Sequence, residues 1–132
     1  MSTPSPWKYF SMEELRCSHC GEMRMKDDFM KKIVDLREVV GFPFIVTSAY
    51  RCPLHNYAVS GSGMSGPHTT GRAIDIKCRS EQALVLLCNT LMRDFTGIGV
   101  SQKGRHSNRF IHIDDLETRV EINRYRPNIW SY

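Results

Sequence analysis

Three side chains stand out for the chemistry they carry and for where they fall: His68, Asp75 and His112. Asp75 lies in Arg72-Ala73-Ile74-Asp75-Ile76, and His112 in Phe110-Ile111-His112-Ile113-Asp114. On a strand, alternate residues share a face. Ile74 and Ile76 then lie opposite Ala73 and Asp75, while Ile111 and Ile113 lie opposite Phe110, His112 and Asp114. Both segments therefore combine an aliphatic anchor face with a face centred on ionisable groups. An ionised carboxylate in a half-buried strand is costly unless a cation meets it. That cation is a metal ion or an arginine. His68 precedes Asp75 by seven residues, in a glycine-rich loop that leads into the strand. Two imidazoles and a carboxylate around one ion leave a fourth tetrahedral position to water, the pattern of a catalytic zinc site. Such an ion lowers the pKa of its water to about 7 and makes a nucleophile at neutral pH. Spacing alone leaves a surface or packing role open for each of the five histidines.

The elements that must position these groups can be read from local patterns. Ser11 and Glu14 fit a capping box for a short helix over 12–17. Asp27 and Asp28 favour a helix start, and Phe29, Ile33, Leu36 and Val40 follow at helical spacing until Gly41 and Pro43. Residues 44–50 are rich in β-branched and aromatic types and predict a strand. Residues 54–71, with Gly61, Gly63, Gly66, Pro67 and Gly71, predict a long functional or mobile loop. Gly71 allows a sharp turn that folds His68 back towards Asp75. A strand follows over 72–78. Ser80 then caps a helix whose buried stripe is Leu84, Leu87 and Leu91. Two more short strands, 98–102 and 110–114, are separated by a hairpin-like connection over 103–108. Residues 1–10, with Pro4 and Pro6, form an N-terminal arm, and 11–132 form one domain. The fold class is α+β, with a small, mainly antiparallel sheet packed against helices.

Composition narrows the function. At 132 residues, 41% hydrophobic and 24% charged, the chain suits one globular domain and excludes disorder. No apolar run approaches the roughly 18 residues of a membrane span. The start MSTPSPWKYF lacks the pattern of a secretory signal, so synthesis in the cytoplasm is expected. A net charge of +4 from scattered basic residues does not point to nucleic acid, and a monomer is expected. Of the five cysteines, Cys17 and Cys20 in Cys17-Ser18-His19-Cys20-Gly21 have the spacing of a zinc knuckle. A closed knuckle needs four ligands and would have to recruit Cys52, Cys78, Cys88 or His19. Reduced thiols are the simpler reading.

Taken together, Ser48-Ala49-Tyr50-Arg51, then Ser65-Gly66-Pro67-His68-Thr69-Thr70-Gly71-Arg72-Ala73-Ile74-Asp75, then Phe110-Ile111-His112-Ile113-Asp114 resemble the M15-type zinc peptidases of bacteria and their phages. That group includes D-Ala-D-Ala carboxypeptidases and phage endolysins and shares its fold with the hedgehog signalling domain. The resemblance extends over roughly residues 10 to 132, including Phe10-Ser11-Met12-Glu13-Glu14-Leu15 and Trp130. It implies one zinc ion held by His68, Asp75 and His112, and cleavage of a peptide bond in the peptidoglycan stem. It also implies that Arg51 holds a substrate carboxylate or the developing oxyanion, a task suited to a planar guanidinium. Many members carry an acidic general base three residues before the last zinc histidine, whereas Arg109 stands there in this chain.

Hydrolysis still needs a group to move the water's proton. Asp114, on the strand face of His112, is the first candidate, and orientation of a metal ligand is its alternative role. His106 and Asp115 are weaker candidates. Ser48 and Ser65 are candidate donors to substrate, though a turn role suits them at least as well, and Tyr50, Asn56 and Trp130 are candidate cleft residues, though such residues more often simply pack. The reading is a zinc peptidase of peptidoglycan stem peptides, of phage or prophage type, acting on the cell wall after release. Its alternative is a zinc-stabilised binding module of the same fold without turnover.

Overall fold

The computed structural model describes residues 2–132. Its first helix, α1 (Met12–Leu15), starts with the capping box: the Ser11 hydroxyl accepts from the Glu14 N–H, and the Glu14 carboxylate accepts from the Ser11 N–H. It stops before residue 17, because the chain turns extended at Arg16. Residues 2–10 form neither helix nor strand, yet Trp7 and Phe10 are buried in the core. Helix α2 (Asp27–Val40) buries Phe29, Met30, Ile33 and Leu36 and ends where Gly41 adopts φ 78°.

Five strands form one sheet: β1 (Ile45–Ser48), β2 (Ala73–Lys77), β3 (Gly97–Ser101), β4 (Phe110–Asp114) and β5 (Asn128–Ser131). Their order is β1-β2-β4-β3-β5, antiparallel throughout except for the parallel pairing of β3 with β5. Ile74, Ile76, Ile98, Ile111 and Ile113 belong to the same core as Phe29, Ile33, Leu36 and Leu86. The opposite face carries the ionisable residues. The fold is α+β with a mostly antiparallel sheet, as the sequence predicts. Strand β5 was not anticipated: only two of its residues are apolar, and its place comes from pairing with β3.

Three expectations require correction. In α4 (Ser80–Leu91) the buried residues are Ala83, Leu86 and Thr90, whereas Leu84 and Leu91 are 62% and 60% exposed. Leu87 packs partly against the core. The helix is apolar on more than one side, so periodicity does not single out the face that meets α2 and β4. Ser80 does not cap it; the N-cap is Arg79, without a side-chain bond. Likewise, the predicted loop contains a helix, α3 (Pro53–Val59), and two single 3-10 turns, Gly63–Ser65 and Pro67–Thr70. Pro53 occupies the first helical turn and the Cys52 sulfur accepts from the His55 N–H. Leu54, Tyr57 and Val59 are exposed, and a helix of seven residues is too short for periodicity to mark it against the flanking glycines.

Gly71 is the joint between the second 3-10 turn and β2. Its φ is 75°, and a Cβ there would overlap the carbonyl oxygen of Arg24. Its own carbonyl accepts from the Lys26 N–H, so the joint is clamped to the segment entering α2. Substituting Gly71→Ala combines left-handed backbone strain with a backbone overlap that cannot relax easily. It is expected to cost at least about 2 kcal/mol, measured by urea denaturation.

Candidate metal centre

The site is assembled by strand register. Asp75 on β2 lies directly opposite His112 on β4, and Gly99 on β3 is the next partner of His112. A register shift in β1 between Val46 and Ser48 sets Ser48 opposite Asp75 and carries the following residues into the site. His68 comes from the Pro67–Thr70 turn and is tied to this segment twice. Its Nδ1–H donates to the Ala49 carbonyl at 2.7 Å, and its own carbonyl accepts from the Arg51 N–H at 3.1 Å.

These constraints bring the three predicted ligands together. His68 Nε2 lies 3.2 Å and His112 Nδ1 2.9 Å from the same Asp75 oxygen, Oδ1. All three residues are buried. The ligand atoms lie within 4.8 Å of one another, close enough to share one ion. The far nitrogens are already used. A carbonyl can only accept, so His68 carries its proton on Nδ1 and leaves Nε2 for a metal. The Asp114 carboxylate, 2.8 Å from His112 Nε2, does the same for His112 and leaves Nδ1 facing inward. Metal-binding histidines are commonly oriented by a carbonyl or carboxylate in this way, so the donor set fits a zinc ion.

Arg51 reaches the same place. Its Nε–H donates to Ser48 Oγ and its Nη1 to Asn56 Oδ1, both at 3.0 Å, while Nη2 stands 4.0 Å from Asp75 Oδ2. Two neutral acceptors thus hold the guanidinium without cancelling its charge. Asn56 is itself fixed, donating to Ser62 Oγ and to the Gly63 carbonyl. A cavity of about 350 Å³ opens over Arg51, His68, Asp75 and His112, walled by Phe110, Trp130 and Tyr132. Tyr132 was missed by sequence reasoning, which carried no cue to β5. Trp130 lines the cavity as expected.

Other candidates lie elsewhere. Tyr50 is buried in the core. Ser65 uses its carbonyl to accept from Arg124. Arg109 donates to the Gly104 carbonyl in the hairpin. His106 is in an exposed turn, and Asp115 is bound by Arg72 and Lys32. Asp114 is 0% exposed and does not line the cavity. Arg126 grips it with two bonds, 2.9 Å to Oδ1 and 2.8 Å to Oδ2, and the Leu116 N–H donates to Oδ1. Room for this arrangement depends on Gly97, where a Cβ would overlap the Asp114 carboxylate.

The electrostatics follow from the geometry. Burial raises the Asp75 carboxyl, but His68 and His112 outweigh it and hold the group well below the usual carboxylate range. Burial lowers His112, but Asp114 and Asp75 lift it from 6.5 to about 9. Burial raises Asp114, but His112 and Arg126 hold it down at about 2.

The profile of the peptidase M15 family matches residues 8–114, and the chain belongs to that family. The match spans His68, Asp75, His112, Arg51 and Asp114 and ends before Arg126 and Trp130. Comparison with curated proteins and with solved structures finds no match.

Two predictions follow the pattern of charges. In metal-free protein, the depressed carboxylates contribute stability that is complete above pH 3.8 and is lost as pH falls towards about 2. The raised His112 contributes stability that is complete below pH 6.5 and is lost as pH rises through about 9. Thermal melts with chelator should therefore peak between these ordinary values and decline towards pH 9. Zinc requires the deprotonated Nδ1, so adding it should oppose the alkaline decline. Asp114→Asn is expected to weaken zinc binding about 10–100-fold, measured by chelator competition.

Proposed function

We propose that this M15 family member holds one zinc ion at His68, Asp75 and His112 and hydrolyses an amide bond in peptidoglycan stem peptides. The observation that carries the reading is the approach of His68 Nε2 and His112 Nδ1 to one Asp75 oxygen, beneath a cavity that also holds Arg51. Zinc bound there supplies a Lewis acid for the scissile carbonyl and lowers the pKa of a water to about 7. Arg51, held by Ser48 and Asn56, directs its Nη2 edge to a substrate carboxylate or to the oxyanion. Phe110 and Trp130 give the peptide an apolar wall. Burial raises the Tyr132 phenol above its ordinary value of 10, so at neutral pH it faces the cavity as a hydrogen-bond donor.

For Asp114 the geometry supports orientation of His112 over proton shuttling. The Arg126 fork occupies both of its oxygens, and His112 stands between it and the other two ligands. One observation favours the second reading, a zinc-stabilised binding module without turnover: among the described residues, the only carboxylate lining the cavity is Asp75, a candidate ligand itself. The phage or prophage setting, with action on the cell wall after release, belongs to the same proposal. The net charge of +4 suits approach to an anionic wall.

Digestion of purified peptidoglycan with zinc-loaded protein tests both readings. The hydrolase should release new amino groups, with the new termini identified by mass spectrometry. His112→Ala should fall to background, and Arg51→Ala should lower turnover about 10²–10³-fold. Full zinc occupancy with no new termini would favour the binding module.

A further inference from the structure

We propose a second metal site, built from a different set of side chains than His68, Asp75 and His112, in which Cys17, Cys20 and Cys52 hold a structural zinc ion and His19 is recruited as the fourth donor. The three thiol sulfurs lie within 4.8 Å of one another. In a tetrahedral thiolate site with Zn–S about 2.3 Å, sulfurs stand about 3.8 Å apart, so the spacing suits one ion. His19 Nδ1 lies 3.5 Å from Cys52 Sγ.

The backbone builds the cluster. After α1, the Cys17 N–H donates to the Glu22 carbonyl at 2.7 Å and the Gly21 N–H to the Cys17 carbonyl at 2.9 Å. Gly21, at φ 79°, closes this turn and brings Cys17 and Cys20 to one side. Cys52 arrives from the N-cap of α3, and its N–H donates to Cys17 Sγ at 3.3 Å. A backbone N–H directed at a sulfur stabilises it as a thiolate acceptor. His19 stacks on His55 at 5.7 Å with an interplanar angle of 4°, and His55 Nε2 is 3.3 Å from Ser18 Oγ. The imidazole is thereby held beside the thiols.

Ordinary explanations leave the cluster unaccounted for. Cysteine packs as a small hydrophobe when buried, yet Cys20 is exposed and Cys52 only half-buried. A single disulfide would leave one of the three thiols over. Three sulfurs instead supply three corners of a tetrahedral site, and His19, 3.5 Å from the Cys52 sulfur, is the imidazole placed to swing into the fourth. Bound zinc would fasten the turn after α1 to Cys52, one residue beyond Arg51, and so brace the arginine of the cavity. That bracing role rests on the function proposed for Arg51; the site itself does not.

Metal analysis of zinc-grown protein after dialysis tests the assignment. About two zinc ions per chain are expected in the unmodified protein. Cys20→Ser, a change at an exposed position, should lose one, and His112→Ala should lose the other. His112→Ala loaded with Co²⁺ should show thiolate-to-cobalt charge-transfer absorption, and Cys20→Ser should lack it. Zinc content unchanged by Cys20→Ser, no charge-transfer band, or a Cys17–Cys20 disulfide in freshly purified protein would overturn the proposal. Each variant strips only its own site, so failure of one assignment leaves the other legible.

Discussion

An ionised carboxylate at the centre of a sheet has to be neutralised where it stands, and the architecture around Asp75 answers that requirement. Leaving such a group isolated in a low-dielectric interior would cost more than the stability of a whole small domain. Here the raised His112 imidazole and the Arg51 guanidinium bring positive charge to its two oxygens, and His68 Nε2 stands 3.2 Å from the first. His112 arrives by strict register across β2 and β4, His68 from a turn, and Arg51 from the chain just past the β1 irregularity. Their arrival depends on different parts of the fold, so the site forms only when the fold does. The same negative focus makes the cluster suitable for a cation.

Around this focus a second set of contacts determines how the imidazoles point. Ala49 accepts from His68, and Asp114 faces His112 while gripped by Arg126. Gly97 supplies the space for that grip. The contacts that matter for metal chemistry are therefore polar, buried and satisfied; no buried side-chain nitrogen or oxygen among the described residues lacks a partner. Neighbouring Asp115 belongs to a separate network with Arg72, Lys32 and, through Arg72, Asp28, which ties the end of β4 to α2. Adjacent acidic residues thus have different tasks: Asp114 faces His112 and Asp115 joins the sheet to α2.

Membership of the M15 family makes peptide hydrolysis the natural use of this centre, and the arrangement of Arg51 suits a peptide carboxylate. The proton path is the demanding part of that chemistry. Arg109 is spent on the Gly104 carbonyl, and the cavity offers a phenol rather than a second carboxylate.

Much of this was legible in the chain. Alternation in 72–76 and 110–114 put Asp75 and His112 on polar faces, the capping box marked α1, and Gly71 marked the turn behind His68. Such features depend on neighbours within a few residues, which a linear pattern records. Helix α3 and the buried face of α4 did not show, because the first is only seven residues long and the second has too many apolar positions. The role of Asp114 was equally hidden: its strand face is local information, but its partner Arg126 lies beyond the strand. By itself the sequence determined which groups can bind a metal and that Asp75 and His112 sit on strands. Only the tertiary structure decided which atoms of those groups face one another, because register and long-range hydrogen bonds choose the tautomer and direction of every side chain.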